Sequence, residues 1–314
     1  MKLPKCSIET MIKSLSESTL NQYNSTYKLW WKFCNTKHIS PLLGRTEDAI
    51  EFLQLLLEQG KYKYSTINAH RSALSLILQD KVGEDFRMKR FMRGVAKLRP
   101  SAPKYDFTWE PATVLKHLEN IATSEDATLK DLSMKLITLL ALSTGHRLQS
   151  LSLIRIENIN ITPDQVQILI PDTIKTSGPG KPQPHLQIPF FRTNPNLCVA
   201  STLIWYLKRT KGWRESNKGP LFLTFKKPHK KASKQSLSRW VKGTLHAAGI
   251  DVTQFKPHST RHASTSLAKR LGLNIDTIHK SAGWSEKSRT FAKFYDRPVQ
   301  PTQNFTNTII SSLS

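Results

Sequence analysis

Apolar residues recur at spacings of three and four along most of the chain, with polar residues between them, so the pattern predicts helices more often than strands. From Ser18 to Lys37, Leu20, Tyr23, Tyr27, Trp30, Trp31 and Cys34 keep this spacing behind Ser18, which can cap the helix. Thr46 opens a second helix with Glu47 and Asp48 in its first turn and Ile50, Leu53 and Leu57 facing a core, and Gly60 ends it. Ser65 starts a third, with Ile67, Leu74 and Leu78 inside. Short connections between the three predict a compact all-helical domain over residues 1–98.

The next stretch stands out by charge. Between residues 87 and 104, Arg87, Lys89, Arg90, Arg93, Lys97, Arg99 and Lys104 are seven basic residues without an acid, and Pro100 and Pro103 stop any helix near the end. It reads as a basic interdomain segment, with the linker at residues 99–106 and a second domain over residues 107–314. In that domain Asp131 to Ser143 is strongly apolar (Leu132, Leu136, Leu139, Leu140) and is stopped by Ser143-Thr144-Gly145. Val166 to Ile170, Leu186 to Phe190 and Leu221 to Phe225 have the composition of short strands, and the first two flank a Gly/Pro-rich loop, which predicts a β-hairpin with a long tip. Helices follow at residues 196–210, 235–248, 259–271 and 274–281. The expected fold is mainly α: an all-helical first domain, then a mixed, mostly helical domain with a small antiparallel sheet.

Composition narrows the partner. The 314 residues carry 47 Lys and Arg against 23 Asp and Glu, a formal charge of +24, so a polyanion is expected and nucleic acid fits best. Anionic lipid fits less well, because it calls for one amphipathic basic helix rather than charge spread over two domains. Cys6, Cys34 and Cys198 form neither a disulfide framework nor a zinc-binding spacing. With no signal-peptide run and no apolar stretch of about 18 residues, an intracellular chain that neither crosses nor enters a membrane is expected. Lys61, Lys63, His70 and Arg71 on the first domain, and Arg90, Arg93, Lys97 and Arg99 in the basic segment, are the candidate phosphate contacts. Each of these also fits an ordinary solvated surface, and the segment also fits a flexible tether. Trp205 to Lys234, with ten Lys and Arg and only Glu215 as an acid, is a second basic surface.

Four places in the second domain combine: Thr144-Gly145-His146-Arg147; Lys175 in Ile174-Lys175-Thr176-Ser177-Gly178; His258-Ser259-Thr260-Arg261-His262; and Ala282-Gly283-Trp284 followed by Phe294-Tyr295. Here the chain resembles the tyrosine recombinases, the integrases and site-specific recombinases that cut DNA with a tyrosine nucleophile. The family's order Arg, Lys, His-x-x-Arg, His/Trp, Tyr is present whole, and the first domain matches the family's core-binding domain. Trp284 and the Thr290-to-Tyr295 stretch look most like recombinases of Crypton-type eukaryotic mobile elements. That likeness implies a nuclear location in a eukaryotic host, and otherwise a cytoplasmic one on DNA.

The chemistry explains the residue types. Attack on a phosphodiester gathers negative charge on the nonbridging oxygens, so donors already fixed there lower the barrier. Arg147 and Arg261 are suited to grip two oxygens at once, and the Trp284 indole adds a further N–H. Tyr295 is the implied nucleophile; a phenol ionises only near pH ~10 in water, so it needs a base, and His258 is the natural one. Lys175 would protonate the departing 5′ oxygen, and Lys181, six residues on along the same hairpin, is the alternative. The resemblance implies a 3′-phosphotyrosine intermediate, no metal or other cofactor, double-stranded DNA as partner and a homodimer or homotetramer on it. His258 and His262 are four apart, as zinc ligands are, but Ser259 stands where H-E-x-x-H has Glu and no third ligand is evident. Read singly, Arg147 also fits a helix-end charge, Trp284 and Tyr295 fit core aromatics, and His262 fits a packed histidine.

Two departures from the family pattern stand out. Ser150 replaces the acidic residue that many relatives carry three positions after the first arginine, and Trp284 to Tyr295 is eleven residues, longer than is common in bacterial and phage members, so the tyrosine's helix must enter differently. The tail places Phe305, Ile309, Ile310 and Leu313 at helical spacing, which suits docking on a neighbouring subunit or folding back on its own domain. Two other activities share these features: a non-catalytic DNA-binding protein with a recombinase fold, and a topoisomerase of similar chemistry.

Overall fold

The computed structural model describes residues 4–79, 81–100, 105–178, 180–285 and 288–299. The chain divides into two compact units, Met1–Pro103 and Lys104–Ser314, each with its own core. The tail positions Phe305 to Leu313 and linker residues 101–104 lie outside the described residues.

The first unit is helical: α1 (Lys5–Ile12), α2 (Glu17–Lys37), α3 (Thr46–Glu58), α4 (Tyr64–Ile77) and α5 (Phe86–Leu98). Ser16, not Ser18, caps α2, its Oγ accepting the Thr19 N–H at 3.1 Å. Trp30 anchors the core: its ring stacks on Phe33 and meets Phe52 edge-on, both at 5.4 Å, and its indole N–H donates to the Pro41 carbonyl. A Cβ on Gly44 would lie 2.8 Å from that ring, so only glycine fits there. Trp31, expected inside, is 58% exposed, because a residue adjacent to Trp30 is turned ~100° away round the helix.

Two further expectations are overturned. The basic segment is not linker from Arg87: Asp85 accepts the Arg87 and Met88 N–H groups as a helix cap, and Met88, Met92 and Val95 bury one face of α5. Charge masked the i, i+4, i+7 apolar seam. His70, expected to face phosphate, is only 5% exposed; its Nδ1 shares a 2.8 Å hydrogen bond with the Thr26 hydroxyl, its ring lies edge-on to Phe52 and Tyr62, and burial lowers its pKa.

The second unit is built round α7 (Leu129–Thr144), a helix buried on nearly all sides. Before it lies α6 (Pro111–Glu119), with Pro111 opening the first turn, and after it the single turn α8 (Leu148–Leu151). An antiparallel sheet follows in the order β1 (Ile159–Ile161), β2 (Gln165–Leu169), β3 (His185–Pro189), with Val166 opposite Ile188 and Ile168 opposite Leu186. Those four residues face the core at period two, and the hairpin expected from the sequence is the β2–β3 pair. Residues 221–225, expected as a strand, are an extended segment held by isolated bridges: Leu221 N–H donates to Ile154 and Leu223 bridges Lys231. Then come α9 (Val199–Thr210), α10 (Lys234–Ala247), α11 (Ser259–Arg270) and α12 (Ile275–Ala282), and a π-helical turn at Phe291–Tyr295. Helices α7, α9, α10 and α11 pack together, and α11 carries α12 and the π turn on its other side. Among the described residues no helix is long and apolar enough to cross a membrane.

Candidate active site

The site forms where α7 ends, α11 begins and the π turn comes back. Gly145 closes α7 at φ +61°, a left-handed conformation that suits glycine. The turn sets Arg147 at the head of α8, half-buried, and aims the Gly145 carbonyl at α11. On α11, Arg261, His262, Thr265 and Ser266 line the buried side, at one-and-four spacing but with polar side chains. At the start of this helix the Trp109 indole donates to Ser259 Oγ at 2.8 Å, a bond reaching back across 150 positions.

Arg261 is the centre. It is 1% exposed, and its Nη1 donates to the Gly145 carbonyl at 2.6 Å. Its guanidinium carbon lies 4.0 Å from the Trp284 ring centre and 5.3 Å from that of Tyr295. Among the described residues Nε and Nη2 have no partner, nor has the Trp284 indole nitrogen. Burial, reinforced by the like charge of Arg147 and partly offset by Tyr295, pushes the Arg261 pKa down to about 9, so it remains a cation at neutral pH. A buried cation with unused donors, next to an unused indole N–H and a second arginine, is a seat for an anion.

Tyr295 completes the site from the same chain, despite the long spacing from Trp284. Its hydroxyl and Nε2 of His258 share a hydrogen bond of 2.8 Å. Its ring stacks on His262 (4.2 Å between centres, 22°) and packs against Trp284 at 4.8 Å. Trp284 itself is set by the left-handed cap Gly283 and by its backbone N–H, which donates to the His279 carbonyl. Burial holds the neighbouring histidines neutral at pH 7: His146, beside the Thr144 carbonyl, is pushed down to about 4, and His262, near His258, Arg297 and Arg261, to about 3. His262 is thus a packed histidine, and among the described residues no group of three or more His, Cys, Asp or Glu could hold a metal ion.

Arg147, His258, Arg261, Trp284 and Tyr295 therefore converge. Lys175 does not join them: it is exposed on the hairpin turn, where Ser177 Oγ accepts the Ile174 N–H and bonds Gln183, and Lys181 is exposed on the same loop. Ser150, where the family resemblance leads to an expected acid, is buried in α8. On the first unit Lys61 and Lys63 are exposed at the start of α4, and Arg71 is half-buried. Arg90, Arg93 and Lys97 form one exposed stripe of α5 opposite Met88 and Met92, and Arg99 is exposed at its end. The sequence reading missed Ser266 and Arg297, which hold the backbone around Tyr295; the signal was the run of polar residues on the buried side of α11.

A mostly helical unit with a small sheet, presenting a tyrosine against a histidine and a buried arginine, defines a DNA-strand-transfer enzyme of the tyrosine-nucleophile class. The chain belongs to the phage integrase family, whose model matches residues 113–299. No curated protein sequence matches it. Among solved structures it is similar to XerH site-specific recombinase bound to difH substrate in a pre-cleavage complex, with a TM-score of 0.57 and 16% identity over 92% of this chain and 78% of that one. It is also similar to a lambda integrase(75-356) dimer bound to a COC′ core site (0.53, 17%, 95% of each chain) and to the Tn1549 transposon integrase with circular intermediate DNA (0.53, 14%, 92% and 99%). At these identities the likeness is one of fold.

Proposed function

We propose that this protein cuts and rejoins double-stranded DNA at specific sites by transesterification. One juxtaposition carries the reading: the Tyr295 hydroxyl on His258, beside an Arg261 whose Nε and Nη2 have no partner among the described residues. The scissile phosphate sits on Arg147, Arg261 and the Trp284 N–H. The Tyr295 oxygen attacks phosphorus while its proton passes to Nε2 of His258. The bond to the 5′ oxygen breaks, and that oxygen takes a proton from Lys175 or Lys181, leaving a 3′-phosphotyrosine. Reversal by another strand's 5′ hydroxyl rejoins the DNA and frees the tyrosine, so the bond energy is kept. The donors act on charge that develops in the transition state, the interaction that accelerates chemistry most.

The partner is duplex DNA, bound through the exposed cations of both units, and the working form is a homodimer or homotetramer on recombining sites. The DNA-bound dimer and tetramer of lambda integrase, which share the fold, support that reading. Within the family the chain reads as a Crypton-type recombinase, on the strength of Trp284 and the Thr290-to-Tyr295 stretch, and in a eukaryotic host it works in the nucleus. The test is incubation with nicked suicide DNA substrates: a covalent protein–DNA adduct that is absent in Tyr295→Phe is expected. No adduct would leave a DNA binder, and an adduct that relaxes supercoils without pairing sites would make it a topoisomerase.

A further inference from the structure

The segment just after the nucleophile is tied down by one side chain. Arg297 donates from Nε to the Tyr105 carbonyl at 2.8 Å, from Nη2 to the Lys293 carbonyl at 2.8 Å and from Nη1 to the Asp296 carbonyl at 3.1 Å. Its backbone N–H donates to Ser266 Oγ at 3.1 Å, and that hydroxyl donates to the Tyr295 carbonyl at 2.6 Å. One residue further on, the Pro298 carbonyl accepts the Thr108 N–H at 2.8 Å. Tyr105, the first described residue of the second unit, is therefore bound to the strand that leaves Tyr295.

Tyr105 also touches the other side of the nucleophile. Its ring is buried, stacks on Phe255 and meets His262 edge-on at 5.0 Å, and the far face of this contact is the His262–Tyr295 stack. Its hydroxyl accepts the Lys256 N–H at 3.1 Å, two residues before His258. Backbone and ring of Tyr105 thus brace Tyr295, and the Tyr105 hydroxyl braces the turn that carries His258.

We propose that Arg297 is a positioning residue for Tyr295: with Tyr105 and Ser266 it forms a latch that fixes the nucleophile's hydroxyl on His258, and it joins that geometry to the segment by which the chain enters the catalytic unit. This rests on Tyr295 being the nucleophile. A fork is needed because three carbonyls must be held from one point, and guanidinium presents donors in a rigid plane where an ammonium does not. Misplacing the reacting oxygen by about 1 Å can cost on the order of 100-fold in rate without touching substrate binding.

The test uses the full chain and a nicked suicide DNA duplex, measuring single-turnover adduct formation at saturating DNA and, separately, the dissociation constant for intact duplex. Arg297→Ala is expected to slow adduct formation about 10- to 100-fold while the dissociation constant stays within about twofold. Arg297→Lys, which restores part of the fork, is expected to fall between. Both Tyr105→Phe and Tyr105→Ala keep the carbonyl that Arg297 grips; Tyr105→Phe, which loses only the acceptor for the Lys256 N–H, is expected to slow adduct formation less than Tyr105→Ala, which also loses the ring against His262. If Arg297→Ala melts early and loses DNA binding as well, Arg297→Lys decides by the same split of rate from affinity. Adduct formed equally fast by wild type, Arg297→Ala and Arg297→Lys overturns the latch alone. A wild type that forms no adduct overturns the nucleophile assignment first, and the latch with it.

Discussion

Nε2 of His258 lies 2.8 Å from the hydroxyl of Tyr295, although the two residues are 37 positions apart. In the proposed reaction the imidazole accepts the phenolic proton as the oxygen closes on phosphorus, and at that distance no rearrangement is needed to begin the transfer. His258→Gln keeps a polar group there but cannot hold the proton. It is expected to slow adduct formation by about 10²- to 10⁴-fold, with a residual rate that climbs as pH rises, because hydroxide must replace the base. Single-turnover rates across neutral to alkaline pH check this; a His258→Gln profile that superimposes on wild type removes His258 from the reaction.

Why the site could be read before the fold explains what each kind of signal reports. Arg147, His258, Arg261, Trp284 and Tyr295, which the structure brings together, could be grouped in the sequence through the order of residues in the family it resembles; read singly, each also fits an ordinary structural role. The central helices were legible from apolar spacing. Helix α5 was hidden because Arg87, Lys89, Arg90 and Arg93 outweigh Met88 and Met92 in any reading of charge, although the buried face needs only Met88, Met92 and Val95. His70 misled for the opposite reason: Lys61, Lys63 and Arg71 near it are basic, but its place on α4 lies four positions before the buried Leu74 and turns it inward to Thr26. Residues 159–161 were missed as a strand since Asn160 interrupts a three-residue run too short to show a period. The Arg297 fork was invisible because its partners are backbone carbonyls, which no side-chain pattern encodes.

Arg261 sets function against stability. It is buried with the Gly145 carbonyl as its hydrogen-bond acceptor; the contact with Trp284 helps, but burial and Arg147 together win, as the fall of its pKa to about 9 indicates. Even a paired buried charge can often be exchanged, with its partner, for a similar apolar volume with a neutral or stabilising effect of roughly 1–4 kcal/mol. Arg261→Met is therefore expected to melt at the same temperature as wild type or a few degrees higher while adduct formation is lost. Arg261→Lys keeps the charge without the fork and is expected to fall on the order of 100-fold or more in rate. A thermal melt beside the adduct assay decides; an Arg261→Met variant that unfolds early would mean the guanidinium holds the fold together.

The buried histidines give the second unit an acid-sensitive stability. His146 and His262 have folded-state values of about 4 and about 3, against about 6.5 for an unfolded imidazole. Below about pH 6.5 the unfolded chain takes up protons that the folded chain refuses, so the unfolded state gains. Stability is thus fully present above about pH 6.5 and falls progressively as pH drops toward 4 and then 3. Between about pH 7 and 5 ordinary carboxylates stay largely ionised, so the slope in that window reports histidines. The melting temperature is expected to decline across it, and His146→Asn with His262→Asn is expected to flatten the decline. A double variant that keeps the wild-type slope would place the titration elsewhere.

On the first unit, Arg90, Arg93 and Lys97 share the exposed face of α5, spaced three and seven along the helix, whereas the buried seam is Met88, Met92 and Val95. Because the two faces are separate, the cations can be removed without disturbing the core. Replacing all three with Ala is expected to leave the melting temperature within a degree or two and to reduce the slope of log affinity against log salt by roughly 2 to 3, about 0.9 for each phosphate no longer neutralised. His70→Gln, at a buried position, is expected to leave the salt slope alone and to lower the melting temperature instead. Titrating duplex DNA over a salt series separates the two; an unchanged slope in the triple variant would mean that this face meets only solvent.

Lys175 and Lys181 both stand exposed on the β2–β3 loop, apart from the cluster of Arg147, His258, Arg261, Trp284 and Tyr295. The proposed mechanism needs only one of them to reach the leaving group, and the leaving group itself can tell which. An alkoxide at the 5′ position must be protonated as it departs, but a sulfur substituted there leaves as a thiolate, since a thiol ionises near pH ~8.5 and needs no donor. Lys175→Ala is expected to slow adduct formation on ordinary nicked DNA by about 10²-fold or more and to return to nearly the wild-type rate on DNA with a 5′-bridging sulfur, while Lys181→Ala stays close to wild type on both. The braced turn supports this order, because Ser177 fixes the backbone beside Lys175 through the Ile174 N–H. If the sulfur substrate rescues Lys181→Ala instead, the acid is Lys181; if it rescues neither variant, the proton comes from outside this loop.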